Sequence, residues 1–378
     1  MFKKISFIAL AVPLMILAAC AQGQTGGGAA ATLPDVIKIG FISPLTGNAA
    51  AYGQDVKHGI EIYVSEHPAI AGKPIQMIWE DGKCNGQDAA NAAQKLINVD
   101  KVQVIIGGSC SGETLAFAPI AEANKVLVIS PLSSSPALTT AGDYIFRNYP
   151  SDMKVSETMV DYVIKNHKKV AMITEQTDFG QGYRKAVNEH LTNKGKKDML
   201  VLDEAYPADN TDFRTLLTKV KESGADALIA IVQAPVTGGF VTKQAAELGL
   251  KVQIFSGDAL PGPDFFSTAK DKAEGVKVAV VSEDPSRKGY TDFATKFVAK
   301  YGKPAASNVF PAFGYDAATI VANGIAAVGY DGTALKDYLK GMPTFKGIAS
   351  DVTFDENGDN NVPAFIKVAK NGEFVLEK

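Results

Sequence analysis

Histidine and cysteine are scarce in this 378-residue chain, with four of the first and three of the second. Much of the side-chain chemistry that runs near neutral pH is built from these two residues, so their scarcity excludes a good deal. His58, His67, His167 and His190 fall in helical patterns or beside proline and lysine, not in strand-end loops where a general base would stand. There is no HExxH and no paired CxxC, so the common metal spacings are absent. A Gly-x-Ser-x-Gly elbow is missing too: the run around Ser109 is GGSCSG, with Ser111 where the second glycine belongs. Every Gly-Lys is followed by proline, cysteine or lysine, which removes a P-loop. Gly180-Gln181-Gly182 has Lys185 at the third glycine position of a dinucleotide fingerprint. Charge of one sign is also lacking. The formal net charge is −3, and nothing marks a nucleic-acid partner. These absences point away from catalysis and cofactors and toward binding.

What is present begins with a targeting segment, residues 1–20. Lys3 and Lys4 precede an apolar run at 7–17 that is too short to span a bilayer comfortably. It ends in Leu17-Ala18-Ala19-Cys20, which resembles the lipobox of bacterial lipoproteins, where the cysteine is lipidated and becomes the mature N-terminus. Residues 21–33 are small and Gly-rich, a flexible tether with a reach on the order of 20 Å. The expectation is a folded body outside the cytoplasmic membrane, anchored through Cys20. Cys84 and Cys110 then lie in an oxidising compartment and are expected to pair, closing a loop of about 27 residues.

The rest alternates β-branched runs with helical spacings. Strand patterns at 36–42, 74–80, 102–106, 126–129 and 144–147 interleave with helical ones at 52–67, 87–99 and 114–124. A second series follows, with helices at 153–166, 182–194, 212–223 and 238–248 and strands at 169–174, 200–206, 227–232, 252–257 and 276–281. Helical spacing returns at 290–301 and 313–328, and Asn357-Gly358 and Asn371-Gly372 mark hairpins. This repetition predicts an α/β protein of two doubly wound, mainly parallel sheets with a cleft between them. Within it, residues 104–114, VIIGGSCSGET, read as a buried strand running through small residues into a helix start. Unpaired N–H groups there, with the hydroxyls of Ser109 and Ser111, suit a socket for a carboxylate or phosphate; the alternative reading of the same stretch is a capped helix start after a tight turn.

The runs LTGNAAAYGQDVKHGIE, EDGKC, IIGGSCSGET, ISPLSSSPALT, IFRNYPSD, DFGQG and FSGDAL, in this order, resemble the branched-chain amino-acid binding proteins of ABC importers. These are type I periplasmic-binding proteins, and the resemblance extends from about Val36 to the C-terminus. It implies a monomeric Venus flytrap, with lobe 1 at 34–151 plus 283–345, lobe 2 at 152–282 plus 346–378, and a three-segment hinge. Such a protein closes on a free amino acid, branched-chain or a similar small zwitterion, and delivers it to a membrane permease. The resemblance also implies the ligand set. Ser111, the backbone of Leu132, and Ser134, with Ser133 between them, take the carboxylate. Asp258 takes the ammonium, and Tyr52, Phe179 and Tyr315 form aromatic walls. Gln233 faces the ligand from QAPVTGG, where the family commonly has tyrosine. Asp258 stands where the family often has glutamate, and Phe179 where it often has tyrosine. These departures fit a different ligand side chain or an amide- or urea-type solute. A sensory binding protein would share all of these features. An extracytoplasmic α/β hydrolase using Ser111 is the enzymatic alternative.

Overall fold

A computed structural model describes residues 33–281, 287, 289–302, 305 and 309–377. The targeting segment 1–20, Cys20 and the tether up to residue 32 lie outside the described residues. The first half of the chain runs β1 (Ile37–Ser43), α1 (Ala50–Glu66), β2 (Ala69–Ile70), β3 (Lys73–Asp81), α2 (Gly86–Asn98), β4 (Val104–Gly107), α3 (Ser111–Asn124), β5 (Leu127–Ser130) and β6 (Ile145–Pro150). After it come α4 (Asp152–Asn166), β7 (Val170–Glu175), α5 (Asp178–Asn193), β8 (Leu200–Tyr206), α6 (Arg214–Glu222), β9 (Ala227–Ile231), α7 (Pro235–Glu247), β10 (Gln253–Ser256), α8 (Pro263–Ala269) and β11 (Lys277–Val281). The last part holds α9 (Tyr290–Tyr301), α10 (Val309–Val328), α11 (Gly332–Gly341), β12 (Phe345–Lys346), β13 (Asp351–Val352), β14 (Asp359–Asn360), β15 (Ala364–Lys370) and β16 (Glu373–Leu376).

The strands form two seven-stranded sheets, ordered β14-β6-β5-β4-β1-β3-β2 and β16-β15-β11-β10-β9-β7-β8. Pairing is parallel through β6, β5, β4, β1 and β3 and through β11, β10, β9, β7 and β8. It turns antiparallel at β2 and at β15 and β16. Strands β4 and β5 are buried at every residue, which is why they read as unbroken apolar runs. The expected pair of doubly wound α/β lobes is the architecture observed. Within each sheet, one strand has neighbours whose connections leave in opposite senses: β1 between β3 and β4, and β7 between β8 and β9. Crevices open at such points beyond the strands' carboxyl ends. Among the described residues no helix is long and apolar enough to cross a membrane.

Three details differ from the sequence reading. Helix α3 starts at Ser111, not 114, and α5 at Asp178, not 182. Both starts are capped by polar side chains that hydrophobic periodicity does not register: Thr177 Oγ1 accepts the Gly180 N–H at 3.1 Å, and Glu113 caps the turn before α3. Helices α8 and α11, seven and ten residues long, were not anticipated, being too short for a clear period. The chain was expected to return to the second lobe at 346. Instead β14 pairs with β6, so the crossing falls between Asn360 and Ala364. The intervening stretch is held to α10 by Asp316, whose carboxylate accepts the N–H groups of Ile348 and Ala349 at 2.7 and 2.8 Å.

Candidate functional site

Between the two sheets lies a cavity with about 420 Å³ of empty space, part of it open to solvent. From the first lobe the loops after β4 and β5 supply hydroxyls: Ser109, Ser111 and Ser134 all line it. Ser111 is the first residue of α3, and its Oγ accepts the Ser135 N–H at 3.1 Å, so the two loops brace each other. With its acceptor side engaged, the Ser111 hydroxyl keeps its hydrogen to donate. The first N–H groups of α3, which have no intrahelical partner, begin at the same residue.

The expected supply of unpaired N–H groups ahead of α3 is corrected by Glu113. Its buried carboxylate accepts the N–H groups of Ser109 and Cys110, each at 3.1 Å, and of Cys84 at 3.0 Å. Gly108 N–H goes to Thr114 Oγ1 at 3.0 Å. The loop's own amides are therefore used internally, and hydroxyls face the cavity. Burial pushes the Glu113 carboxyl up to about 7, against the three N–H bonds that favour its charged form.

From the second lobe come Phe179 in the first turn of α5, Gln233 after β9, and Asp258 and Ala259 after β10. Asp258 is 7 % exposed and accepts a hydrogen bond from the Tyr149 hydroxyl on β6. Burial raises its carboxyl to about 6, while that hydroxyl and the N–H groups of Asp258 and Ala259 pull the other way. The Tyr52 hydroxyl of α1 donates to Ala259 O at 2.6 Å. Both tyrosines therefore bond from the first sheet's side to one loop of the second. Close approach of the lobes also needs glycine at two places. A Cβ on Gly182 would lie 2.4 Å from Ser135 Oγ, and one on Gly112 2.8 Å from Asp178 Oδ2.

Seven of the nine expected ligand residues thus share the cavity: Ser111, Leu132, Ser134, Asp258, Tyr52, Phe179 and Gln233. Two do not. Ser133 turns inward, its hydroxyl set 2.7 Å from Thr114 Oγ1 and donating to Gly108 O at 3.0 Å, and it ties the β4 and β5 loops behind the wall. Tyr315 faces away on α10, donating to Glu66 Oε2 at 2.9 Å with its ring against Tyr63 and Phe293. Phe310 takes the wall position instead, edge-on to Tyr52 at 5.3 Å between ring centroids. The sequence reading had no signal for Phe310. Tyr149 sits inside IFRNYPSD, but its strand pattern gave no hint of which face it served. Among the described residues no lysine, arginine or histidine lines the cavity. His58 stacks on Tyr301 and His190 meets Met153 O, both away from Ser111.

The Cys84 and Cys110 Cα atoms lie 5.3 Å apart, a separation that a disulfide spans. Cys110 lines the cavity, and the Gln233 side-chain amide reaches across the cleft to both sulfurs.

A family model described as periplasmic binding protein matches residues 36–373. Leu/Ile/Val-binding protein homolog 3 of Brucella melitensis is 28% identical over 360 residues, covering 93% of this chain and 96% of that protein. A crystal structure of the branched-chain amino acid transporter substrate-binding protein LivJ of Streptococcus pneumoniae, in complex with isoleucine, is 28% identical, with a TM-score of 0.80 and coverage of 90% and 100%. A solute-binding protein of an ABC transporter from Rhodopseudomonas palustris BisB5, in complex with 3,4-dihydroxybenzoic acid, is 27% identical with a TM-score of 0.80 and coverage of 90% and 95%.

Proposed function

The chain belongs to the periplasmic binding protein family, which comprises extracytoplasmic solute-binding proteins and not enzymes, and on that premise we propose that it binds a free amino acid for import by an ABC transporter. The observation that carries this reading is the unlike chemistry of the two cavity walls. Hydroxyls face the cavity from the first lobe and a buried carboxylate from the second. A zwitterion needs both. Its carboxylate is satisfied by the Ser111 and Ser134 hydroxyls and the start of α3. Its ammonium is answered by Asp258, since a buried cation without a partner costs several kcal/mol. Tyr52, Phe179, Phe310 and Leu132 enclose a small apolar side chain. A purely anionic aromatic acid finds no cation here and meets the Asp258 charge, which disfavours it.

Closure brings a first lobe of about residues 34–151 and 283–360 against the rest, and the closed face is what a permease reads. The lipobox-like Leu17-Ala18-Ala19-Cys20 supports export and a lipid anchor at Cys20. The proximity of Cys84 and Cys110 supports a disulfide in that oxidising compartment, worth roughly 3–4 kcal/mol in the chain-entropy model.

A thermal-shift panel of free amino acids, uncharged amides, urea and aromatic acids tests the reading. A ligand at 100 times its Kd adds about 2.7 kcal/mol. Stabilisation by isoleucine or leucine and none by benzoates is expected; stabilisation by aromatic acids alone refutes it. Two further outcomes follow from the walls. Ser111→Ala weakens every α-amino acid alike, by about 1–3 kcal/mol in calorimetry, because each loses the same carboxylate donor. The pH profile takes its sign from Asp258, whose carboxyl is raised by burial to about 6 and which answers an ammonium only when ionised. Affinity therefore falls below about pH 6, toward tenfold per unit, as this carboxyl takes up its proton. A flat profile down to pH 4.5 would exclude Asp258 as the counter-charge.

A further inference from the structure

We propose that Asp152 is a second acid at the ammonium end of the site, protonated in the ligand-free protein, and that a ligand bearing positive charge is enclosed in exchange for that proton. This deepens the reading above and rests on it. Asp152 opens α4 directly after the chain leaves β6, and its side chain is fully buried. Its N–H donates to Ser134 O at 2.8 Å, which sets it one layer behind the carboxylate wall. Among the described residues neither of its carboxylate oxygens has a partner in bonding geometry, although the Ser134 hydroxyl stands beside it. The charged and titratable groups around it are Asp258 from the loop after β10, Arg147 and Tyr149 from β6, and Tyr183 from α5. Arg147 spends its donors elsewhere, on Asp359, Ser135 O and Thr139. Ser156, one turn along α4, and Tyr183 are also buried with hydroxyls lacking a partner.

Two acids in unlike surroundings divide into an ionised and a protonated one. Asp258 has the Tyr149 hydroxyl and two backbone N–H groups to hold its charge; Asp152 has no comparable set. A dry carboxylate with only the Ser134 hydroxyl beside it is the costlier form, so Asp152 keeps its proton, and burial and the facing Asp258 raise its carboxyl well above the usual range. The pair then presents one negative charge, which suits one ammonium. When that ammonium enters, its charge favours ionisation of the second acid as well, and a positive charge within a few ångströms lowers an acid by about 1–3 pH units. The Asp152 O–H bond breaks with its electron pair left on oxygen, and the proton passes to bulk water. The ligand class follows: net-positive or zwitterionic amines are admitted, and carboxylates without an amine are rejected.

Two measurements test the exchange on the mature chain. The first needs no ligand. With 13C-carboxyl aspartate labelling at pH 7.5, NMR of the free protein is expected to show a protonated aspartate carboxyl that is lost in Asp152→Asn. If no protonated aspartate is seen, the proposal fails, whatever the protein binds. The second is calorimetry with L-isoleucine at pH 7.5 in phosphate and in Tris. The wild type is expected to release a substantial fraction of one proton, and folded Asp152→Asn to bind with a release near zero. An unchanged release in the variant, no release in the wild type, or loss of all binding by folded Asp152→Asn overturns it. A protonated aspartate together with no isoleucine binding leaves the acid assigned and instead refutes the amino-acid reading.

Discussion

Exchanging Asp258 for asparagine is expected to weaken L-isoleucine binding by roughly 3 kcal/mol or more, a hundredfold at least, while uncharged amides of similar shape lose little. The size of the effect comes from burial. Asp258 is 7 % exposed, and among the described residues no other charged side chain lines the cavity. An ammonium enclosed there meets Asp258 as its counter-charge at the cavity wall, and removing it leaves the cation without that direct partner. Asparagine keeps the volume and still offers an oxygen to the Tyr149 hydroxyl, so the loop after β10 stays in place. Titration calorimetry of isoleucine against isovaleramide separates the effects. If both ligands lose equally, the change has disturbed the wall and not the charge, and the ammonium role is wrong.

Replacing Arg147 by methionine is expected to cost about 3–5 kcal/mol of stability. The guanidinium is 1 % exposed and forks onto Asp359, with Nε to Oδ1 at 2.7 Å and Nη2 to Oδ2 at 2.8 Å. It also donates to Ser135 O at 2.8 Å and to Thr139 Oγ1 at 2.9 Å. Taking away one partner leaves the Asp359 carboxylate, 9 % exposed, without its counter-charge. β14 then loses its main tie to β6, and the loop carrying Ser134 loses a support. Because Ser135 N–H bonds to Ser111 Oγ, ligand affinity should fall along with stability. Lysine at this position should rescue little, since it offers a point charge where two parallel bonds are needed. Urea unfolding followed through the first lobe measures the loss; a cost under about 1 kcal/mol would mean that the pair is dispensable.

How much of this was legible in the chain differs from residue to residue. The buried parallel strands announced themselves because both of their faces are covered, so 104–106 and 127–129 are apolar without interruption. The serines after β4 stood out because small polar residues at strand ends are the ordinary material of such sites, and those after β5 were implied by the family resemblance. Ser133 shows the limit of that signal. Three consecutive serines look alike in sequence, yet one faces the cavity, one turns inward to Thr114 and one bonds Arg147 and Ser111 through its backbone. Tyr315 and Phe310 show it again, five positions apart on α10, with the cavity side decided by how α10 packs on α1.

Alternation of strand and helix patterns predicted the architecture and the shortage of catalytic residue types pointed to binding, while the narrower role was implied by the resemblance of the ordered loop runs to a known family. These are local properties, written in spacing and composition. The capture of the loop amides by Glu113, the Tyr149 bond to Asp258, the burial of Asp152 behind the wall and the return of β14 to the first sheet came only with the assembled lobes. Each joins residues far apart in the chain or depends on which way a side chain turns, and no local pattern records a contact that forms only when distant segments close on one another.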